Sequence, residues 1–199
     1  VPRDWAERES GRSHRQLLRQ ATAAAHEAVE ASLESAAPET AGGYRRLLAA
    51  QGLAVERCER LLEAADVARL VPDWAERSRR AALAEDCRAL AVERVAAEGE
   101  PQSLPTPAEA LGMVYVLEGS RLGARLLHRR LQDNPDVACR AADRFLSHGC
   151  DERLWQSFVT LLEQSSIVAA KPDEAIAGAH RAFAIFSQAA AATETMFVD

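Results

Sequence analysis

Several signatures are missing from this 199-residue chain, and each absence removes a class of function. No G-x-G-x-x-G, Walker A or nucleophile-elbow pattern occurs, so no segment reads as a dinucleotide cradle, a phosphate loop or an exposed serine nucleophile. The cysteines, Cys58, Cys87, Cys139 and Cys150, are scattered without a C-x-x-C. That argues against structural zinc and thioredoxin-like chemistry and leaves reduced thiols that mostly pack. No run of about 18 apolar residues is present to span a membrane. The opening VPRDWAERESGRSH is polar where a secretory signal is apolar, so the expectation is a cytoplasmic protein without a membrane partner. Lys plus Arg number 24 against 30 Asp plus Glu, a net charge of −6, and there is no basic tract; nucleic acid is not an expected partner. Alternating β-branched runs are absent as well, which leaves little from which to build a sheet.

What remains is rich in Ala, Leu, Glu, Arg and Gln, the residues that lose least on entering a helix. The length suits one core and one domain. A first helix is predicted over 13–36, started by a capping box of Ser13 and Gln16 and followed by Pro38. A second should run from Tyr44 to Ala65, and a third from Pro72 toward Glu98 with a break on the way. The segment 99–107 is a Gly- and Pro-dense loop. Thr106, Pro107 and Glu109 supply an N-cap, a first-turn proline and a capping-box acid for a helix ending near Leu131. Shorter helices should follow over 136–147 and 151–165, and Pro172 with Asp173 opens the last.

The most informative stretch is 112-GMVYVLEGSRLGARLL-127, which sets Gly119 and Gly123 one turn apart in an apolar helix pattern, with Gly112 on the same face. Glycine costs about 1 kcal/mol relative to alanine inside a helix, so a face that keeps several brings its bare backbone close to something. That neighbour is either another helix or a flat ligand.

A second signal lies in 17-LLRQATAAAHEAVEASL-33, where Glu30 follows His26 by one turn and its carboxylate can reach the imidazole. A histidine oriented this way suits the axial position of a heme iron, although a lone helical histidine is more commonly a surface or core residue. His14, His128, His148 and His180 have no His or Cys at i+3 or i+4 and read as surface or helix-end residues.

The segment QATAAAHEAVEASL resembles the proximal helix of the heme oxygenase family, and YVLEGSRLGARLL is similar to the distal-helix motif of its bacterial branches. RSRRAALAEDCRAL (77–90) and AHRAFAIFSQ (179–188) resemble the segments before the distal helix and in the final helix, in the family's order. The resemblance implies an all-α, single-domain bundle over 13–199 behind a flexible N-terminal extension, 1–12, with heme between the first helix and the glycine-bearing one. It makes His26 the iron ligand and Glu30 its hydrogen-bonding partner. Gly119 and Gly123 become the distal glycines that steer oxygen toward the ring edge, with Ser120 and Phe183 beside the heme. Arg19 and Tyr115 become propionate contacts. Two positions differ among members: Ala124 stands where some have a second glycine, and Gln156 stands near an expected arginine, leaving Arg153 as the base of 151–164.

The activity so implied is oxidative cleavage of heme, both substrate and cofactor, to biliverdin, carbon monoxide and iron. It uses O2 and electrons from a separate ferredoxin or NAD(P)H-dependent reductase, since this chain has no flavin or nicotinamide motif. Arg19 and Tyr115 look like the arrangement of α-meso-cleaving members, with acidic Glu34 offering no competing cation. Biliverdin could serve iron acquisition or supply a bilin-binding photoreceptor downstream. Two other readings stay open: a heme carrier or sensor without turnover, and a heme-free helical protein that binds another ligand or partner.

Overall fold

The computed structural model describes residues 13–33, 36–93, 103–150 and 153–194. The expected extension 1–12, Glu34, the end of the third expected helix, the first part of the 99–107 loop (99–102) and the last residues, 195–199, lie outside the described residues. Every described element is helical, and the buried apolar side chains form one core cluster.

The first expected helix is two. Helix α1, His14–Ala21, ends at Thr22, and α2 runs Ala23–Ser32. Thr22 is buried and its hydroxyl donates to the Leu18 carbonyl at 2.8 Å, the back-bonding by which Thr bends a helix. The start of α1 is also more than local. The Ser13 hydroxyl accepts the Gln16 N–H at 3.3 Å, but it donates to the distant Glu163 carboxylate at 2.5 Å. That carboxylate also takes the backbone N–H groups of His14 and Arg15 at 2.9 and 3.0 Å. Glu163 thus does the work expected of Gln16, placing a negative charge at the positive end of α1.

Helix α3, Ala41–Ala64, is capped by Thr40 and carries much of the core on one side, including Tyr44, Leu47, Leu48, Val55 and Leu62. After a 3-10 turn, Val67–Arg69, the third expected helix is divided into α4 Trp74–Arg77 and α5 Arg80–Ala89. Its division comes from Glu59 on α3, which accepts the Ser78 hydroxyl at 2.5 Å and the Arg79 N–H at 2.9 Å and so holds that backbone out of a helical ladder. Helix α6, Pro107–Leu131, opens with both reciprocal bonds of the Thr106–Glu109 capping box, as its sequence predicts. The expected 136–147 helix is split into α7 Val137–Ala141 and α8 Arg144–Ser147, because the Asp86 carboxylate caps Arg144 and Phe145 at 3.2 and 2.8 Å. Helix α9, Leu154–Glu163, precedes a short helix not foreseen, α10 Ser166–Ala170, with Ser165 as its cap. The chain closes with α11, Pro172–Glu194.

Helix α11 is the central strut, packing along α6, α3 and α2. Its closest approach to α6 is made by glycine. A methyl group at Gly112 would run into the carbonyl of Ala175, and one at Gly178 into the carbonyl of Glu109. At Gly112, therefore, close helix packing is what the bare backbone serves. Farther along α6 that is no longer so.

Candidate functional site

No side chain of helix α2 is fully buried; Ala25 and Val29, with Leu33 at its end, pack against the core only in part. A helix of this length in water depends on burying a face. Protein covers the apolar side of α2 only in part. On that helix His26 has a side chain 58% exposed, with Nδ1 3.5 Å from the Glu30 carboxylate. That distance is within ion-pairing reach and longer than a well-made hydrogen bond. The imidazole meets Phe183 of α11 edge-on, with centroids 5.9 Å apart and planes at 78°. Phe183 is itself buried. One side of the ring is thereby fixed by an aromatic edge and Nδ1 by a carboxylate, which leaves Nε2 as the nitrogen to offer to a ligand.

The corresponding part of α6 is bare. A methyl group at Gly119 would meet no backbone, only the Trp155 indole at 3.7 Å, and one at Gly123 would touch nothing within 4 Å. Leu122 and Leu126 beside them are 46% and 51% exposed, an unusual state for large apolar side chains on a helix whose first half is buried. Of the two neighbours the sequence allowed, another helix accounts for Gly112, whereas no helix backbone lies against Gly119 or Gly123.

The rim of this bare region is aromatic and cationic. Tyr115, half-buried on α6, lies 5.8 Å from Trp155 of α9 with ring planes tilted by 48°. The Arg15 guanidinium of α1 sits 5.8 Å above the same indole. Burial pushes the Tyr115 hydroxyl above its ordinary range, and the charges of Arg15 and Arg19 pull it back. Arg15, Arg19, Tyr115 and Trp155 thus share one neighbourhood. Arg19 and Tyr115 were singled out by the sequence; Arg15 and Trp155 were not. The segment containing Trp155 had drawn notice for its bases, yet Arg153 and Gln156 are both exposed and the indole is what reaches the glycine face.

Behind the glycines lies a buried charge network that the sequence did not disclose. Glu118 accepts Arg77 at 2.7 Å and Arg121 at 2.9 Å. Arg77 also grips Asp73 and donates to the Leu154 carbonyl and the Ser157 hydroxyl at 2.8 Å each, joining α4, α6 and α9. Arg79 is wholly buried and donates to the Leu117 carbonyl at 3.0 Å and the Ser120 hydroxyl at 2.7 Å. Burial pushes its guanidinium down to about 10, and it lies 5.1 Å over the Phe145 ring. The Ser120 hydroxyl donates in turn to Leu117 at 2.8 Å, so its hydrogen bonds point into the protein. Carboxylates that are paired and bonded from several sides hold fixed positions, and this set fixes the α6 backbone from behind.

The remaining histidines are committed elsewhere or exposed. His14 Nδ1 is 2.8 Å from the Leu162 carbonyl, His128 is 2.9 Å from Asp143, His148 contacts Arg121, and His180 is on the surface. Among the described residues no group of three or more His, Cys, Asp and Glu side chains gathers to hold a metal by itself. No helix among them is long and apolar enough to cross a membrane.

Comparison with known proteins is consistent with this geometry. The family model described as heme oxygenase matches residues 13–192. A curated heme oxygenase from Xanthomonas campestris pv. campestris (strain 8004) is 39% identical over 119 residues, 60% of this chain and 71% of that protein. The solved structure of NO- and CO-bound heme oxygenase from Neisseria meningitidis superposes with a TM-score of 0.78 at 25% identity, over 95% of this chain and 96% of that one.

Proposed function

The chain belongs to the heme oxygenase family, and from that premise we propose which of its residues carry the reaction and how. It is a heme oxygenase, an oxidoreductase that degrades heme, and heme is its substrate. We assign the heme seat to the space between α2 and the bare half of α6. The observation that carries this assignment is the contrast along one helix: Gly112 abuts a neighbouring backbone, whereas Gly119 and Gly123 abut none. A planar ligand is what such a strip admits.

His26 is the proposed iron ligand, through Nε2. Its Nδ1 faces Glu30, and a carboxylate there raises the basicity of the imidazole and fixes which nitrogen is free. Phe183 limits rotation of the ring. Heme, when bound, supplies both the metal that activates O2 and the macrocycle that is oxidised. The chain's own contribution on the distal side is spatial. Gly119 and Gly123 offer no side chain to bond or protonate a ligand, so with heme seated here their contribution would be a bare backbone that limits space on that face. The Glu118–Arg77–Arg121 network keeps that backbone from yielding, and Arg79 holds Ser120 in place behind it. Arg19 and the Tyr115 hydroxyl are the proposed contacts for propionates at the rim. Electrons come from a separate ferredoxin or NAD(P)H-dependent reductase, and the product is biliverdin, with carbon monoxide and iron.

Reconstitution with heme, followed by an electron source in air, tests the whole reading. Loss of the Soret band with appearance of a bilin spectrum is the expected outcome. A stable heme complex that yields no bilin would make this member a carrier or sensor, and failure to bind heme would remove the site.

A further inference from the structure

A substrate with two carboxylates at one edge needs two partners there, and the rim described so far offers Arg19 and Tyr115. Arg15 stands one helical turn before Arg19 on α1, so the two guanidinium groups project from the same side of that helix. Several structural facts set Arg15 apart from an ordinary surface arginine. Its position on the helix is fixed, because its own backbone N–H is bonded to Glu163 at 3.0 Å. Its guanidinium lies over the Trp155 indole, the same ring whose far edge meets the Gly119 face and which stacks obliquely with Tyr115. Among the described residues neither the Arg15 nor the Arg19 guanidinium has a carboxylate within 4.0 Å, and whereas Arg57, Arg125 and Arg181, likewise without one, bond to an amide or carbonyl oxygen, the Arg15 guanidinium rests on an indole. Two guanidinium groups one turn apart, neither paired with a carboxylate among the described residues and both close to Tyr115 beside a bare helix face, make a place that suits an anion.

On the reading that heme occupies the space between α2 and α6, we propose that Arg15 is a second carboxylate-binding residue. It holds one propionate while Arg19 and Tyr115 hold the other. Trp155 supports it by stacking, which keeps the planar guanidinium oriented toward the cleft without neutralising it. This also accounts for Gln156: a base on α9 is not required if the second cation comes from α1 and α9 contributes the aromatic surface beneath it.

The test is the rate at which heme leaves the protein for an excess of apomyoglobin, followed in the ferric state for the parent, Arg15→Gln and Arg15→Lys. Each is loaded with heme or with heme dimethyl ester. Arg15→Gln should accelerate loss of heme by about five- to tenfold, the size expected for one partly exposed charged contact. Arg15→Lys should recover much of it, and loss of the dimethyl ester should be the same in all three proteins. Equal acceleration for both porphyrins would mean that Arg15 acts through folding or packing, and no acceleration for heme would mean that it touches no propionate; either overturns the assignment. Failure of the underlying reading is visible separately, as a parent protein whose heme spectrum does not depend on His26.

Discussion

Gly112 and Gly123 lie on one side of α6, three turns apart, and meet opposite surroundings: the first abuts the Ala175 carbonyl of α11, and the second faces open space. The same residue type thus serves packing at one end of the helix and vacancy at the other. Alanine separates the two roles. Gly112→Ala should lower stability by about 1 to 3 kcal/mol, because the obstacle is backbone and cannot turn aside. Gly123→Ala should melt at or above the parent temperature, since alanine is the better helix former by about 1 kcal/mol. Gly123→Leu should fold and yet fail to turn over heme normally. Thermal melts and bilin yield check all of these; a Gly123→Leu protein releasing biliverdin at the parent rate would refute the distal assignment.

His26→Ala should abolish the histidine-ligated heme spectrum and turnover, and added imidazole should restore the spectrum. Alanine at His14, His128, His148 or His180 should leave it unchanged. Glu30→Gln should still bind heme, with an altered iron–histidine stretch in resonance Raman spectra, because the contact at 3.5 Å tunes the ligand without making it.

The footing of α1 should depend on acid in a defined direction. Burial raises the Glu163 carboxyl, but the Ser13 hydroxyl and the N–H groups of Arg15 and His14 outweigh it and hold it below the usual carboxylate range. A carboxylate whose pKa is lower folded than unfolded stabilises fully above its unfolded value, about 4.3, and that support disappears as pH falls through the folded value. Hydrogen exchange at residues 15–21 should therefore be flat, after correction for intrinsic rates, from pH 8 to 5 and rise only in stronger acid. Glu163→Gln should show the raised exchange at every pH. If it does not, Glu163 is not what anchors α1.

Heme should open mainly at the α-meso carbon. The position of the ring in its plane follows from where its propionates are held, and Arg19 with Tyr115 marks that edge. Chromatography against the four biliverdin isomers decides the point, and Arg19→Gln with Tyr115→Phe should broaden the product distribution. A predominantly β or δ product from the parent would show the ring to be seated otherwise.

How far the sequence discloses this molecule depends on how local each cause is. The start of α6 is legible because Thr106, Pro107 and Glu109 contain every determinant of it. A break in the third helix is expected, but its place before α5 is not legible, because it is imposed by Glu59 from another helix. The split between α7 and α8 likewise comes from Asp86. At the site, His26 with Glu30 and the glycines are patterns within single helices and can be read directly. The juxtaposition of Arg15 with Trp155 joins opposite ends of the chain, and the buried ties of Glu118 join α6 to α4, so neither leaves a spacing to recognise. The glycine pattern itself is ambiguous for a physical reason: helix packing and a flat ligand ask the same thing of the backbone, and on this one helix Gly112 meets a helix while Gly119 and Gly123 do not.

Helix α2 has no side chain fully buried by protein, and at ten residues it is shorter than the length at which helices persist alone. Whatever occupies the space beside it adds to its persistence in proportion to the logarithm of ligand concentration over Kd. With heme seated as proposed, that occupant is consumed: each completed turnover would dismantle the scaffold that steadied α2, so departure of the product and relaxation of α2 would belong to one event.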